Sequence, residues 1–489
     1  MKKQKIIVGI VLISILLAAC QVTPGMQSVI NKNDGAFEDA IQITRATDEA
    51  IQAQVQLTEN FSSTDGSVKF HMNIDQSLAA EKMPVLEVVP HAITSEDAQR
   101  VATVLLGDVD FYEREPSMNP RFSKSQYQEM ISRLVPYSNL DAMTDLVGPS
   151  AGEMLEATKY LIDHLTAAME TAPEENPHVP CDWTLKKERY YNNSPGDIGN
   201  RAIGEDDDWL VATATKNQLG YTYMVIARDQ EDYKLNRFSI QLGGATVEPS
   251  LDRKIYWSQL CRTEKPTMEQ IHRVEEQVVT MIEEMEFGQW EVARTKVETS
   301  YSGAEPEYMI RINLVPVLNG IPAIFGQGNP ELDQDYTGAY ALTQATFLMS
   351  ANGDIIDMEL DSPIELKSVV NENVATLSFS QLIERAQQHL SLSDAGNYGL
   401  SDAVIKMYEK EFQEEILCVV DISQIEYGLS RVLIKDTTDS YYYVPVLVFQ
   451  GNVQYQGVST GTIYFDYADY GIGLDTLLWI NAVDGSIVG

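Results

Sequence analysis

Hydrophobic and polar positions along this chain follow two different periods. Apolar residues three or four positions apart predict amphipathic helices at 95–106, 123–135, 150–170, 268–285 and 378–390. Residues 36–56 also have helix-forming content, although their apolar positions follow the helical period poorly. Alternation at every second position predicts strands, most clearly at 68–74, 84–93, 221–227, 238–242, 290–299, 308–318, 416–434 and 441–449. Because the strands come in runs joined by turns, the pattern predicts an α+β fold with helices packed on antiparallel sheets.

The second half of the chain repeats one order of elements. A helix, strands, a Val-Pro-Val-Leu quartet and a glycine turn occur first with the quartet at 315–318 and the turn at Gly353, then again at 444–447 and Gly485. The quartets lie 444 − 315 = 129 positions apart, and the glycines 485 − 353 = 132. This recurrence predicts a duplicated helix-plus-antiparallel-sheet unit. Since proline cannot donate a ladder hydrogen bond, each quartet also predicts an edge strand or a bulge.

These patterns divide the body of the chain into three parts. An N-terminal α+β region covers 36–262, and two helix-on-sheet units follow at 263–370 and 371–489. A chain of 489 residues fits two or three domains of about 150 residues each.

The N-terminus carries an export pattern. Three lysines precede an apolar run at 6–17, which is shorter than the roughly 20 residues that cross a bilayer. The run ends in Leu-Ala-Ala-Cys at 17–20, which resembles the bacterial lipobox. The resemblance implies a signal peptide at 1–19, a lipidated Cys20 and a polar tether that extends to residue 35. The mature protein would then be anchored by lipid on the outer face of the bacterial cell membrane. The alternative is an ordinary secreted protein in which the cysteine occurs there by chance.

The charge of the chain excludes one class of partner. The formal charge is −37, and removal of the three signal lysines leaves 32 basic against 72 acidic side chains, or −40. Such a field repels phosphate backbones, so we expect no nucleic-acid partner.

Besides Cys20, three cysteines remain in the exported portion. Cys418 lies in an apolar strand pattern, where a thiol acts as a small buried hydrophobe. Cys181 and Cys261 lie in polar stretches and form the better disulfide pair, although geometry decides whether they bond. No Cys-x-x-Cys spacing and no histidine at metal-site spacing is present, so we expect no zinc site and no cofactor.

The C-terminal residues resemble known extracytoplasmic modules. Tyr-Tyr-Val-Pro-Val-Leu at 442–447 and Trp-Ile-Asn-Ala-Val-Asp-Gly-Ser-Ile-Val at 479–488 resemble PepSY and YycH/YycI-type modules, which are small helix-on-sheet units. Most of the chain also resembles an uncharacterised family of lipoproteins from Firmicutes such as clostridia. The resemblance implies a regulatory or binding role at the envelope, since YycH/YycI-type proteins act on a histidine kinase of cell-wall control. This chain departs from them in its lipid anchor and its larger N-terminal region.

Catalytic patterns are weak. Gly-Val-Ser-Thr-Gly at 457–461 matches a nucleophile elbow, but a strand-like run follows and no histidine comes later to act as a base. The six histidines at 71, 91, 164, 178, 272 and 389 each lie amid ordinary residues, which predicts solvated or core-edge side chains. The acidic runs at 205–208 and 331–335 are out of register for a calcium loop and are interpreted as solvated loops.

Three hypotheses about function remain. The first is a non-enzymatic envelope lipoprotein that binds a protein or peptide through its C-terminal sheets, where tyrosines 441–443 and Trp479 are expected in the core or on the sheet surface. An exposed sheet edge could recruit a peptide strand. The second is a ligand- or substrate-binding lipoprotein, and the third is a cell-wall or peptide-processing enzyme.

Overall fold

The computed structural model describes a large part of the chain, and the account that follows concerns that part: residues 36–45, 51–80, 82–113, 123–139, 151–172, 174, 179–187, 208–217, 219–230, 233–242, 260, 264–300, 306–325, 342–398, 400, 402–434, 437, 440–466 and 475–487. The predicted signal peptide, Cys20 and the tether lie outside these residues.

Seven helices occur in the described residues. They are α1 (Ala36–Ala40), α2 (Ser95–Leu106), α3 (Lys124–Leu134), α4 (Ala151–Thr171), α5 (Met268–Glu284), α6 (Phe379–Leu390) and α7 (Asp402–Phe412). None of these helices combines the length and the apolar character that crossing a bilayer requires.

Strands outnumber helices in the same residues. They are β1 (Ile51–Ser62), β2 (Val68–Ala80), β3 (Val85–Pro90), β4 (Phe111–Glu113), β5 (Lys186–Lys187), β6 (Asp208–Lys216), β7 (Leu219–Gln230), β8 (Tyr233–Leu242), β9 (Gln289–Ser300), β10 (Glu307–Leu318), β11 (Ile321–Pro322), β12 (Gln344–Met349), β13 (Ile355–Asp361), β14 (Ile364–Asn371), β15 (Ile416–Leu433), β16 (Tyr441–Gly457), β17 (Ile463–Asp466) and β18 (Asp475–Asn481).

The strands form two sheets. The first has the order β1-β2-β15-β16-β3-β14, with β17 and β18 also paired to β16. The second has the order β11-β10-β12-β13-β8-β7-β6-β4, with β5 on β6 and β9 on β10. All strand pairs are antiparallel except the parallel pair of β2 and β15. The α+β class with helices packed on antiparallel sheets is confirmed.

Sheet membership crosses the boundaries predicted from the sequence. The chain passes from the first sheet to the second after β3 and returns to the first with β14, so residues 91–363 are inserted between two paired strands. The predicted N-terminal region at 36–262 therefore contributes strands to both sheets, and β14 extends across the predicted boundary at 370. The division of the chain into three parts stays a prediction.

Each sheet buries one face under helices. In the second sheet, α2 and α5 contribute apolar side chains such as Val101, Leu105, Val274 and Ile282 to a core with β6–β8, β10, β12 and β13. In the first sheet, α6 and α7 cover β1, β2, β15, β16 and β18. A smaller cluster joins the two sheets, and β11 continues from β10 to a parallel bridge between Ala323 and Leu429. The two halves are therefore joined by apolar packing as well as by the chain.

The two helices of the predicted repeat begin in the same way. In both helices the glutamine at the third position accepts from the backbone N–H of the cap residue: Gln270 from Thr267 at 2.9 Å and Gln381 from Ser378 at 3.0 Å. Each helix also packs on the glycine turn of its own half. Gln277 of α5 donates to the Gly353 carbonyl at 2.9 Å. Near Gly485, the closest side chains are those of Leu377, which precedes α6, and Arg385, which lies in α6.

The two Val-Pro-Val-Leu quartets occupy different positions relative to these turns. β12 leads into the Gly353 turn and pairs with β10 at 310–314, which precede the quartet. β18 leads into the Gly485 turn and pairs with β16 from Val446 onward, which is within and after the quartet. The expectation of an edge strand or bulge was wrong for Pro445, because β16 has partners on both sides. Pro445 lies where β3 ends as the neighbour of β16 and β18 begins, so its missing N–H falls at a break between partners.

Candidate functional site

Edge strand β1 is the most exposed template for strand pairing that the described residues contain. It ends the strand order of the first sheet and pairs with β2 over twelve consecutive residues without a register shift. Its sequence, IQAQVQLTENFS, holds no proline, glycine, lysine or arginine. Native proteins commonly protect such edges with bulges, lysine, proline or short strands. β1 has no bulge, lysine or proline and is not short. Its single charge is Glu59, which lies on the same face as Leu57 and Phe61 and accepts a hydrogen bond from Gln387 of α6.

The other long edges are protected. β14, at the opposite end of the first sheet, has two register shifts within eight residues. Lys367 lies at one of them and donates to Glu87 at 2.8 Å. In the second sheet, β9 has a register shift against β10 and carries Arg294 and Lys296. β1 differs from these two edge strands because it has neither a register shift nor a basic residue.

The two faces of β1 differ sharply in chemistry. Val55 is buried, and Leu57 and Phe61 are half-buried against the core beneath α6. Phe61 stacks on Phe70 with ring centroids 4.9 Å apart. A strand added outside β1 would therefore cover the sides of Leu57 and Phe61 with its own inward residues.

The outward face of β1 and its neighbours is a layer of amides and carboxylates. Gln54 donates to Asp75 at 3.2 Å and accepts from Ser77 at 2.8 Å. Across the sheet, His71 and Asp421 are 2.9 Å apart, and Asp466 of β17 accepts from two amides of β16. On β1 and β2 this face is polar, whereas on β15 it also carries the buried Val419.

A second surface feature is a groove beside the end of β14. It has a volume of about 420 Å³ and is lined by Gln42, Thr44, Lys82, Asn371, Glu372 and neighbouring residues. Lys82 and Glu372 form an exposed ion pair at 3.6 Å. The groove is open and mixed in charge, which suits a small polar ligand better than an apolar one.

A titratable cluster lies where the chain crosses between the sheets. The two crossing segments run side by side, since the His91 amide donates to Pro363 O at 2.8 Å. The His91 ring places Nδ1 2.5 Å from Glu365 of β14 and Nε2 2.9 Å from Asp97 of α2. Arg100 contacts the other oxygen of Asp97. Side chains from α2 and β14 therefore meet at one histidine.

Asp97 is the most strongly perturbed acid of this cluster. Burial by itself would raise its pKa, but hydrogen bonds from His91 and Thr94 and the charge of His91 lower the pKa to about 2. The same carboxylate completes the cap of α2, because it accepts from the Thr94 backbone at 2.9 Å. The sequence pattern indicated Ser95 as the cap of this helix, and that prediction was wrong: the cap is Thr94.

The Gly-x-Ser-x-Gly pattern forms a strand-turn-strand structure. Ser459 lies in the turn between β16 and β17 and donates its hydroxyl to Glu414 at 2.6 Å. Thr460 and Tyr464 also donate to Glu414, and these side-chain hydrogen bonds lower its pKa to about 2. Since a nucleophile elbow needs a helix after the serine, this turn is structural.

Several predicted site residues lie apart or outside the described residues. His272 contacts Glu275 within α5, and His389 is half-buried on α6 with its pKa lowered by burial. Within the described ranges, no group of three or more His, Cys, Asp or Glu side chains is arranged to hold a metal ion. His178, most of the acidic run at 205–208 and the whole run at 331–335 lie outside those ranges, as does the side chain of His164.

The cysteine predictions have mixed outcomes. Cys418 is fully buried, and burial raises its pKa to about 12. Cys181 is half-buried, and burial raises its pKa as well. Cys261 lies outside the described residues, so its pairing with Cys181 stays a prediction.

The C-terminal tyrosines are structural. Tyr441 and Tyr443 are buried in the cluster that joins the two sheets, and Arg431 lies over the Tyr441 ring at 4.5 Å. Because β16 is internal, this stretch presents no free edge. The exposed edge was not predicted from the sequence, because the helix-forming content of 36–56 indicated a helix where the first half of β1 lies. The alternation of apolar residues with Gln and Thr at 51–58 was the signal for it.

The described residues define an α+β protein with two joined antiparallel sheets and one unprotected edge. No model of a known protein family matches the chain, and no curated protein matches it. Among solved structures, the chain is similar to an uncharacterized protein from Eubacterium rectale ATCC 33656, at 10% identity and a TM-score of 0.36, over 92% of this chain and 98% of that chain. At these values the similarity supports no conclusion about function.

Proposed function

We propose that this protein is a membrane-anchored extracytoplasmic lipoprotein with a non-enzymatic binding or regulatory role at the cell envelope. It captures an extended segment of a partner protein by strand addition at β1. The export pattern that ends at Cys20 supports the location. The unprotected twelve-residue edge supports the binding mode, because unpaired backbone N–H and C=O groups supply affinity without a preformed pocket.

The two faces of β1 specify the chemistry of the partner segment. Partner residues on the inner side of the sheet would contact Leu57 and Phe61 and are therefore apolar. Partner residues on the outer side of the sheet would contact Gln54, Gln56 and Thr58 and are therefore polar. The acidic charge of the chain disfavours an acidic segment. The partner strand is thus an alternating apolar–polar segment that is neutral or basic.

A site-specific photocrosslinker tests this proposal in cells that make the intact lipoprotein. It is placed at Asn60 of β1 and, as a matched control, at Asn73, which is equally exposed on the same face but lies in the interior strand β2. We expect one envelope protein to crosslink from position 60 and not from position 73. Equal crosslinking from both positions, or none from position 60, would contradict strand addition at β1. A product of twice the chain mass would instead show that a second copy occupies the edge.

A pair of charged variants gives a second readout. Gln56→Lys with Thr58→Lys places two charges along the edge, while Asn73→Lys with Ser77→Lys places them one strand inward. We expect the first pair to abolish the crosslink and the second to preserve it, with both folded by circular dichroism. Loss of the crosslink in both would mean that the surface charge, and not the edge, controls binding.

The groove beside β14 supports a second candidate function, a ligand-binding lipoprotein. A thermal-shift screen of amino acids, short peptides and sugars tests it. A ligand that binds there would raise Tm in the wild type and lose that effect in Lys82→Ala and Glu372→Ala together.

We further infer that the two helix-plus-antiparallel-sheet units of the C-terminal half arose by duplication. The matching helix caps and the glycine turns that pack near each helix support it. The Val-Pro-Val-Leu quartets do not support it, because they lie at different positions in their strands.

A further inference from the structure

One imidazole lies at the joint between the two sheets. His91 follows β3, and its ring lies between Asp97 of α2 and Glu365 of β14. The backbone of the same joint is held by Asn236, whose side chain donates to His91 O at 2.9 Å and whose carbonyl accepts from Ser362 N at 2.6 Å. Both crossing segments are therefore fixed relative to the ring.

The two contacts of the ring require a particular protonation state. A carboxylate accepts hydrogen bonds and donates none, so each ring nitrogen must carry a proton to bond the carboxylate that faces it. The imidazolium satisfies Glu365 and Asp97 at once. A neutral ring has one N–H, which leaves a nitrogen lone pair facing a carboxylate oxygen. One of the two contacts is then repulsive.

The carboxylates differ in how firmly they are held. The Asp97 side chain is 6% exposed and also bonds Thr94 and Arg100. The Glu365 side chain is 58% exposed, so water can replace His91 as its partner. Deprotonation therefore releases Glu365 and leaves Asp97 in place.

We propose that His91 is a protonation-dependent clasp that fastens the start of β14 to α2 when the imidazole is charged and releases it when the imidazole is neutral. Histidine changes its charge between about pH 5 and 8, within the range that an exported protein meets. The charged groups around it are Asp97 and Arg100 on α2, Glu365 on β14, and Glu286 after α5, which lies 3.7 Å from Arg100. The clasp goes beyond the proposed function and does not depend on it.

Hydrogen–deuterium exchange of the isolated protein tests the clasp. Amides at 364–371 are followed at pH 5.5 and pH 8, with rates corrected for intrinsic exchange. The contact is a partly exposed charge pair, so we expect about a three- to fivefold loss of protection at pH 8. The change should disappear in His91→Gln. It should persist in His71→Gln, a matched control in which the histidine faces Asp421 at the same 2.9 Å but lies within one sheet.

A second variant covers the case in which His91→Gln fails to fold. Glu365→Gln alters an exposed side chain and removes the same charge pair, so it should also abolish the pH dependence. The proposal is overturned if the wild type shows equal protection at both pH values, or if His91→Gln or Glu365→Gln retains the wild-type change. Because no partner is present, these outcomes are independent of the strand-addition experiments at β1.

Discussion

Replacement of Asp97 by asparagine should destabilise the protein at neutral pH and leave little effect in strong acid. Asp97 accepts from the Thr94 backbone and hydroxyl, from His91 and from Arg100. Asparagine has the same shape, but its amide nitrogen would face a donor wherever it is placed, and its oxygen carries no charge. The substitution thus removes charge-assisted bonds without opening a cavity.

The pKa of Asp97 sets the magnitude. A fall from 3.8 to about 2 is nearly two pH units, which corresponds to about 2.5 kcal/mol at about 1.4 kcal/mol per unit. Because the folded pKa lies below the unfolded one, this stabilisation is fully present above about pH 4. It is lost as the pH falls through about 2.

Urea unfolding of the wild type and Asp97→Asn at pH 7 and pH 2.5 measures this difference. We expect the variant to lose about 2 kcal/mol at pH 7 and much less at pH 2.5. Asp421→Asn is the control, since Asp421 pairs with His71 on an exposed surface and should cost well under about 1 kcal/mol. An equal difference at both pH values, or a cost at pH 7 no larger than that of the control, would refute the assignment of Asp97 as a buried, charge-stabilised cap.

Two further predictions concern a turn and a thiol. Gly353→Ala should cost more than Gly320→Ala in urea unfolding: both have positive φ, but a Cβ at Gly353 would clash with Gln277 Oε1, whereas nothing lies within 4 Å at Gly320. The end of the Gln277 side chain can move aside, so the expected difference is the loss of its hydrogen bond to the Gly353 carbonyl, about 0.5 to 1.5 kcal/mol; equal costs would show that this bond does not stabilise the turn. Cys418 should react with a thiol reagent only on unfolding, because burial raises its pKa to about 12, while half-buried Cys181, where it is reduced, should react first. Rapid labelling of Cys418 in the native protein would contradict its place in the core.

Helices and individual strands were predictable because their signals are local. The predicted helix at 268–285 is observed at Met268–Glu284, and the predicted strand at 308–318 at Glu307–Leu318. Periodicity, a capping box and a glycine at a turn all act within a few residues, so a single sequence displays them. The burial of Cys418 followed from the same kind of pattern.

The partners of the strands were not predictable in this way. Residues 51–58 alternate as a strand does, but the composition of 36–56 indicated a helix, and that prediction was wrong for β1. Neither signal shows that β1 forms the edge of a sheet built mainly from the C-terminal half. Nor does alternation show that β16 has neighbours on both sides of Pro445. Pairing depends on which of many similar apolar faces come together, and that choice is made by the packing of the whole chain.

The sequence by itself determined the export pattern at the N-terminus, the acidic charge, the α+β class and most of the places where helices and strands form, with β1 and α7 as exceptions. The tertiary structure alone decided that residues 91–363 are inserted between β3 and β14, that β1 is left unprotected, and that His91 meets Asp97 and Glu365. His91 and Glu365 are 274 positions apart in the chain. No local pattern encodes such a contact, because it exists only when the pairing of β3 with β14 brings the two crossing segments together.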